Sequence, residues 1–241
     1  MEQTKWLIRG NEPVTRQVWQ MQLEGDTAAF RPGQFVEVAV PDFFLRRPIS
    51  VADAQNGVLT LLYKVVGEGT RKMTTLTAGQ PLDLLAPLGN GYALDKAGDR
   101  PLLIGGGVGV PPLYMLARCL REQDKTVEVL MGFNTAAEVF YADRMQALGC
   151  RVTVVTADGS CGRQGLVTDV LPNDYTYYYA CGPKPMLDAL IRCLGTSGEV
   201  SMEERMGCGF GVCMGCSIQT AFGAKRVCTD GPVFKAGEVM L

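Results

Sequence analysis

The sequence predicts an antiparallel β-barrel over residues 1–98, a parallel-sheet α/β domain over 99–203 and a small cysteine-rich module over 204–241. Three observations support this division. Strand-like runs recur at roughly ten-residue spacing in the first part, with glycine turns between them. After Gly98-Asp99 short apolar runs begin to alternate with helical patterns, the mark of a parallel sheet with crossover helices. The last four of nine cysteines fall within 21 positions, whereas the other five are scattered.

In the first part, Phe35–Val40 and Val58–Tyr63 alternate or carry β-branched residues, as half-buried strands do. Pro32-Gly33, Asn56-Gly57 and Ala78-Gly79 supply the turns. One short helix is expected after Gly69, with Thr70 capping Arg71–Leu76.

In the second part, Pro101–Ile104 reads as a strand leading through glycines into a helix over Pro111–Glu122. Val127–Met131, Val152–Thr156 and Tyr177–Ala180 are further strand candidates, with helical patterns between them. Pro101–Ala117 is the longest apolar stretch, yet it holds four glycines and three prolines. A membrane span needs about 20 predominantly apolar residues, so this stretch reads as strand, turn and helix start, and no membrane association is expected. No apolar segment follows the first residues, so a secretory signal is not expected and the chain is read as cytoplasmic. From about 204 onward glycine and cysteine leave little room for regular structure.

Composition narrows the chemistry. The formal charge is −2 with Lys and Arg scattered, so nucleic acid is not an expected partner. There is no histidine. That excludes Ser-His-Asp triads, Cys-His pairs, histidine-ligated haem or zinc, and Rieske centres. An enzyme of this composition takes its difficult chemistry from a cofactor. Nine cysteines, an odd number in a long chain, suit thiols and metal ligands better than a disulfide scaffold.

Cys208, Cys213, Cys216 and Cys228 are spaced C-x4-C-x2-C-x11-C, the pattern of a plant-type [2Fe–2S] cluster. Thiolates are soft, negative donors suited to iron. Glycines 207, 209, 211 and 215 let the backbone bend around a cluster and bring N–H groups to its sulfurs. A zinc knuckle is the alternative, but such sites usually show two C-x2-C pairs and only one is present.

Four further segments suit phosphates and nucleotides. Arg47-Pro48-Ile49-Ser50 ends a barrel strand, and an arginine can clamp a pyrophosphate with two parallel bonds. Leu62-Tyr63-Lys64 leads to Gly67-Glu68-Gly69-Thr70, where Gly-Thr at a helix start offers free N–H groups. Ile104 to Pro112 contains Gly107 and Gly109 in a strand–turn–helix cradle for a dinucleotide. Tyr179-Ala180-Cys181-Gly182-Pro183 puts Cys181 and Gly182 at the carboxyl end of another strand. Taken alone, the Arg47 and Gly67–Thr70 segments read more readily as ordinary strand and loop, and the 105–112 loop has a packing-only alternative.

Taken in order, these segments resemble the ferredoxin reductase superfamily. More narrowly, Arg47–Ser50, Gly67-x-Gly69-Thr70 and the run from Glu203 to Cys216 resemble the electron-transfer subunits of heteromeric, NAD-dependent dihydroorotate dehydrogenases, over essentially the whole chain. The resemblance implies FAD on the barrel, a nicotinamide dinucleotide on the α/β domain and a [2Fe–2S] cluster at the C-terminus. Arg47, Pro48, Ile49 and Ser50 would contact the flavin and its pyrophosphate, Leu62, Tyr63 and Lys64 would line the flavin, and Gly69 and Thr70 would hold phosphates. It also implies an FMN-containing catalytic subunit as partner, in a heterotetramer of two copies of each. Electrons would run from dihydroorotate through FMN, the cluster and FAD to NAD, in pyrimidine biosynthesis. Many plant-type reductases end in an aromatic residue that stacks on the flavin. Here the chain continues into the cysteine block instead.

Asp158 follows strand Val152–Thr156. A carboxylate there would repel a 2′-phosphate and accept a hydrogen bond from a 2′-hydroxyl, which favours NAD over NADP; as a plain turn residue it would do neither. Two other functions fit part of the pattern. One is the small flavin subunit of NADH-dependent ferredoxin:NADP oxidoreductase or of sulfide dehydrogenase, where an aspartate often replaces the first cysteine; Cys208 argues against it. The other is a non-catalytic iron–sulfur scaffold, against which the intact Arg47/Ser50 pair and the 105–112 loop argue.

Overall fold

The computed structural model describes residues 1–241. Strands β1 (Glu2–Pro13), β2 (Val18–Glu24), β3 (Phe35–Val38), β4 (Arg47–Gln55) and β5 (Val58–Lys64) precede the short helix α1 (Glu68–Met73), and β6 (Pro81–Leu88) follows it. The six strands close into an antiparallel barrel in the order β1-β2-β5-β4-β3-β6. Period-two alternation sends Val36, Val38, Leu59, Leu61 and Leu84 into the barrel, where all are fully buried. The same alternation turns Phe35 and Glu37 of β3 outward, toward the rest of the molecule.

The second half begins with β7 (Pro101–Gly106) and α2 (Pro112–Glu122), then β8 (Glu128–Phe133), α3 (Ala142–Ala147), β9 (Arg151–Thr156), β10 (Arg163–Gln164), β11 (Tyr177–Cys181), α4 (Lys184–Leu194) and β12 (Gly198–Ser201). These strands are parallel, in the order β10-β9-β8-β7-β11-β12. The chain then forms the hairpin β13 (Ser217–Thr220) and β14 (Gly223–Arg226) and ends with β15 (Val233–Lys235).

The two halves are joined through α2. Leu113, Leu116 and Leu120 pack on the parallel sheet, while Met115 packs into the barrel core. Beside it, Arg118 reaches across to Asp53 of β4, its Nε and Nη2 donating to one carboxylate oxygen at 3.1 and 2.8 Å. Tyr141 adds a second tie, its hydroxyl donating to Gln20 of β2 at 2.7 Å.

The structure corrects three expectations. Helix α1 starts at Glu68, so Thr70 is its third residue rather than its cap. The Thr70 hydroxyl still serves the helix start, accepting from the N–H groups of Val66 and Gly67 at 3.0 and 3.2 Å. Between β9 and β11 there is no α-helix, only β10 and a 3-10 turn over Val167–Val170; Gly159, Gly162 and Gly165 all take left-handed backbone there, which a helix cannot absorb. Finally, the stretch after 204 is more ordered than its composition implies: β15 pairs antiparallel with β12 and completes a seven-stranded sheet.

Candidate functional site

A cleft of about 580 Å³ runs between the barrel and the carboxyl ends of the parallel strands. It lies where the strand order reverses, between β7 and β11, the position at which open parallel sheets leave a crevice for ligands. Two glycines bring its floor together. A β-carbon on Gly109 would lie 2.1 Å from the carbonyl oxygen of Cys181, and one on Gly106 would lie 2.6 Å from the sulfur of Met186. Only glycine allows the β7 turn to sit against the β11 turn this closely. Gly107 and Gly109 therefore border the cleft together with Cys181 and Gly182. Burial pushes the Cys181 thiol up to about 12, against the opposing hydrogen bond to Ser201, so a neutral thiol faces the cleft.

The Arg47–Ser50 stretch opens β4 rather than ending a strand, and side-chain alternation divides it. Pro48 and Ser50 line the cleft, whereas Ile49 packs in the barrel core. Arg47 points the other way, toward α1, with its guanidinium 4.9 Å over the Phe43 ring. It lies against Gly69, where a β-carbon would be only 2.2 Å from its Nε. The chain thus brings the arginine and the Gly-Thr segment into contact although 22 positions separate Arg47 from Gly69. In the Leu62–Lys64 stretch, Lys64 borders the cleft. Leu62 packs in the core shared with the α/β half, and Tyr63 turns into the barrel, its hydroxyl donating to Asn11 at 2.9 Å.

Asp158 sits in the exposed turn after β9. Its carboxylate accepts from the hydroxyl and N–H of Ser160 at 2.6 and 3.0 Å, which holds it below the usual carboxylate range. Its neighbour Ala157, not Asp158, lines the cleft, as do Asn134 and Glu138. Sequence reading missed Phe35, Met202, Met206 and Pro232, which close the far wall. Met206 falls within the Glu203–Cys216 run, but no motif marks Phe35, Met202 or Pro232, which come from β3, the residue after β12 and the approach to β15.

The cysteine block adjoins that far wall. Phe35 and Met202 share one buried cluster with Cys216 and Cys228. The sulfurs fall as two pairs: the Cys213 N–H donates to Cys208 Sγ at 3.5 Å, and the Cys228 N–H to Cys216 Sγ at 3.4 Å. No three acidic or cysteine side chains converge on one point. Burial alone would raise the Cys208 thiol, but N–H groups of Cys213, Phe210 and Val212 outweigh it and bring the thiol down to about 6. Burial and the Cys216 thiol push Cys228 up to about 12. The donors suit a two-iron centre with two thiolates on each iron, and a cation there would stabilise the buried thiolate of Cys228.

Glu37 lies beneath this block, only 1% exposed. A β-carbon on Gly209 would come within 2.5 Å of its Cγ. Burial raises the Glu37 carboxyl to about 7, with Arg46 opposing and Cys208 adding to the rise.

A closed barrel set against a parallel sheet, with its cleft at the strand-order reversal, defines a ferredoxin-reductase-like oxidoreductase fold with an added cysteine module. The likeness extends to solved structures. One, from work on electron bifurcation by an NADH-dependent reduced ferredoxin-NADP oxidoreductase, has a TM-score of 0.89 at 28% identity and covers 98% of this chain and 89% of that one. A ferredoxin NADP+ reductase from Neisseria gonorrhoeae with bound FAD and NADP shares the fold alone, with a TM-score of 0.69 at 18% identity over 85% and 95% of the two chains. Residues 203–240 match the iron-sulfur cluster binding domain of dihydroorotate dehydrogenase B, and 103–191 match the oxidoreductase NAD-binding domain. The electron transfer subunit of dihydroorotate dehydrogenase B (NAD(+)) from Shouchella clausii is 43% identical over 95% of this chain and 94% of its own. The Bacillus caldolyticus subunit of that name is 46% identical over 88% and 87%. The chain belongs to this family of electron transfer subunits.

Proposed function

We propose that the chain carries electrons between a dihydroorotate-oxidising catalytic subunit and NAD in pyrimidine biosynthesis, with FAD and a [2Fe–2S] cluster as its resident carriers. The observation that carries this reading is the shared wall. Phe35 and Met202 line the cleft and also pack with Cys216 and Cys228, so the flavin end and the cluster end are neighbours. FAD is the component that can exchange both a hydride and single electrons, which links a nicotinamide to a one-electron cluster.

The chain's own residues divide this work. Arg47 supplies the guanidinium for the flavin pyrophosphate, and Gly69 leaves room for it. Pro48, Ser50 and Lys64 form the barrel side of the flavin cleft; Ile49 and Tyr63 hold those strands in place from the barrel core, and Leu62 packs toward the α/β half. Gly107, Gly109, Cys181 and Gly182 admit the nicotinamide nucleotide close to the backbone. Asp158, at the rim, discriminates against a 2′-phosphate. Cys208, Cys213, Cys216 and Cys228 are the cluster ligands. The division 1–98, 99–203 and 204–241 follows this division of labour.

The partner in this reading is an FMN-bearing catalytic subunit, joined in the cytoplasm as a heterotetramer of two copies of each. Phe210, Val212 and Met214 support a contact there: all three are substantially exposed on the cluster loop (43%, 75% and 55%). Such residues in water mark a surface that another protein covers. No helix is long and apolar enough to cross a membrane. The small flavin subunit of an NADH-dependent ferredoxin:NADP oxidoreductase is the second reading, favoured by the TM-score of 0.89; identities of 43% and 46% favour the first.

Copurification tests the proposal. The isolated chain should bind FAD and iron and oxidise NADH with artificial acceptors, yet lack dihydroorotate activity. Adding the catalytic subunit should restore transfer from dihydroorotate to NAD. A chain that copurifies with a ferredoxin:NADP partner instead would support the second reading.

A further inference from the structure

The exposed apolar surface does not end with the cysteine block. Gly209 rests on Glu37 of β3, and the Glu37 carbonyl accepts from Arg46 at 3.3 Å. Arg46 also pairs with Asp83 of β6 at 2.5 Å. It is the last residue of the loop joining β3 to β4, so this loop borders the same edge of the barrel that the cluster loop covers.

The loop is pinned along its length. Asp42, in left-handed backbone, pairs with Lys72 of α1 at 2.9 Å. The Phe43 N–H donates to Val40 at 3.2 Å, and the Phe43 ring packs against the barrel core. Between these anchors and Arg46, Phe44 is 100% exposed and Leu45 is 46% exposed. Phe43 already supplies the inward-facing ring, so the fold has no use for a second. Anchors on both sides hold an aromatic side chain fully in water, an arrangement that gains only when another surface covers it.

We propose that Phe44 and Leu45 extend the face formed by Phe210, Val212 and Met214 into one docking surface, and that the catalytic subunit covers both parts. This inference rests on the reading above, in which electrons cross between subunits beside the cluster loop. Cys213 is exposed on that loop, so the subunit that exchanges electrons there must cover it. The Gly209–Glu37–Arg46 contacts carry the same surface onto the barrel loop. Aromatic anchors of this kind dominate binding when they seat in a partner's pocket.

The test uses the full chain with its cofactors, titrated with purified catalytic subunit by calorimetry. Phe44→Asp should weaken the complex at least about tenfold, equivalent to about 1.4 kcal/mol, and Phe44→Ala by a smaller factor. Iron, sulfide and FAD content and NADH oxidation with ferricyanide should match the parent. Parental affinity in both variants would overturn the inference. So would loss of FAD at unchanged affinity, which would assign the ring to the adenine end of the flavin. Loss of self-association at unchanged affinity would overturn it too, in favour of a second copy of this chain. A parental chain that does not bind the catalytic subunit would remove the underlying reading, and this inference with it.

Discussion

The guanidinium of Arg47 lies against the α-carbon of Gly69, with Nε 2.2 Å from where a β-carbon would stand. In a helix, Gly→Ala normally stabilises by up to about 1 kcal/mol. Here the added methyl meets the far end of a flexible side chain, so the arginine swings away and the fold survives. Gly69→Ala should therefore leave the thermal midpoint unchanged or slightly raised, yet weaken FAD binding about tenfold, as Arg47→Ala should. The double variant should be no worse than Arg47→Ala alone. Flavin fluorescence titration reads this, and additive losses would separate the two residues.

Cys213→Ser should abolish the cluster, giving a chain without labile sulfide. Cys119→Ser should keep about two irons and two sulfides per chain, because Cys119 packs beside the barrel core, away from the block. Iron and sulfide assays decide, and stoichiometric zinc in the parent would refute the cluster assignment.

Glu37 gives a pH signature. Its folded carboxyl is raised from 4.5 to about 7, so between these values the folded state holds the proton more tightly than the unfolded state. Stability therefore falls as pH rises through this window, and the penalty is complete above it. Glu37→Gln removes the charge. It should stabilise the chain at pH 8 by about 2 kcal/mol and change little near pH 4.5. Thermal midpoints at the two pH values measure it; an equal gain at both would rule out titration as the cause.

Arg118→Ala leaves Asp53 buried without its cation. Removing one partner of a buried pair costs about 3 kcal/mol, which lowers the thermal midpoint by roughly 6–12 °C at this size. Reduction of the flavin by NADH should slow, because the pair ties the barrel to α2, while FAD content holds. Replacing both residues with apolar ones should recover most of the stability.

NADH should reduce the flavin much faster than NADPH, and Asp158→Ser should narrow the gap several-fold. Because the Asp158 carboxylate also holds Ser160 in its turn, a Ser160→Ala variant separates charge from loop geometry. A parent that prefers NADPH would refute the role.

Much of this was legible before folding. The C-x4-C-x2-C-x11-C spacing, the glycine turns, the Pro111-Pro112 helix start and the absence of histidine are local or compositional. Backbone sterics and ligand chemistry act on such features over a few residues, so they are read without knowing the fold. Tertiary structure alone decided which side of β4 and β5 faces the cleft, and so separated Pro48, Ser50 and Lys64 from Ile49 and Tyr63; it also covered Leu62, on the same side as Lys64, with the α/β half. It alone set Glu37 under Gly209 and carried β15 back to pair with β12. Each of these depends on partners far apart in the chain. Side-chain alternation is local, but which face becomes interior is set by what packs against it. That choice follows from burying apolar surface across the whole molecule.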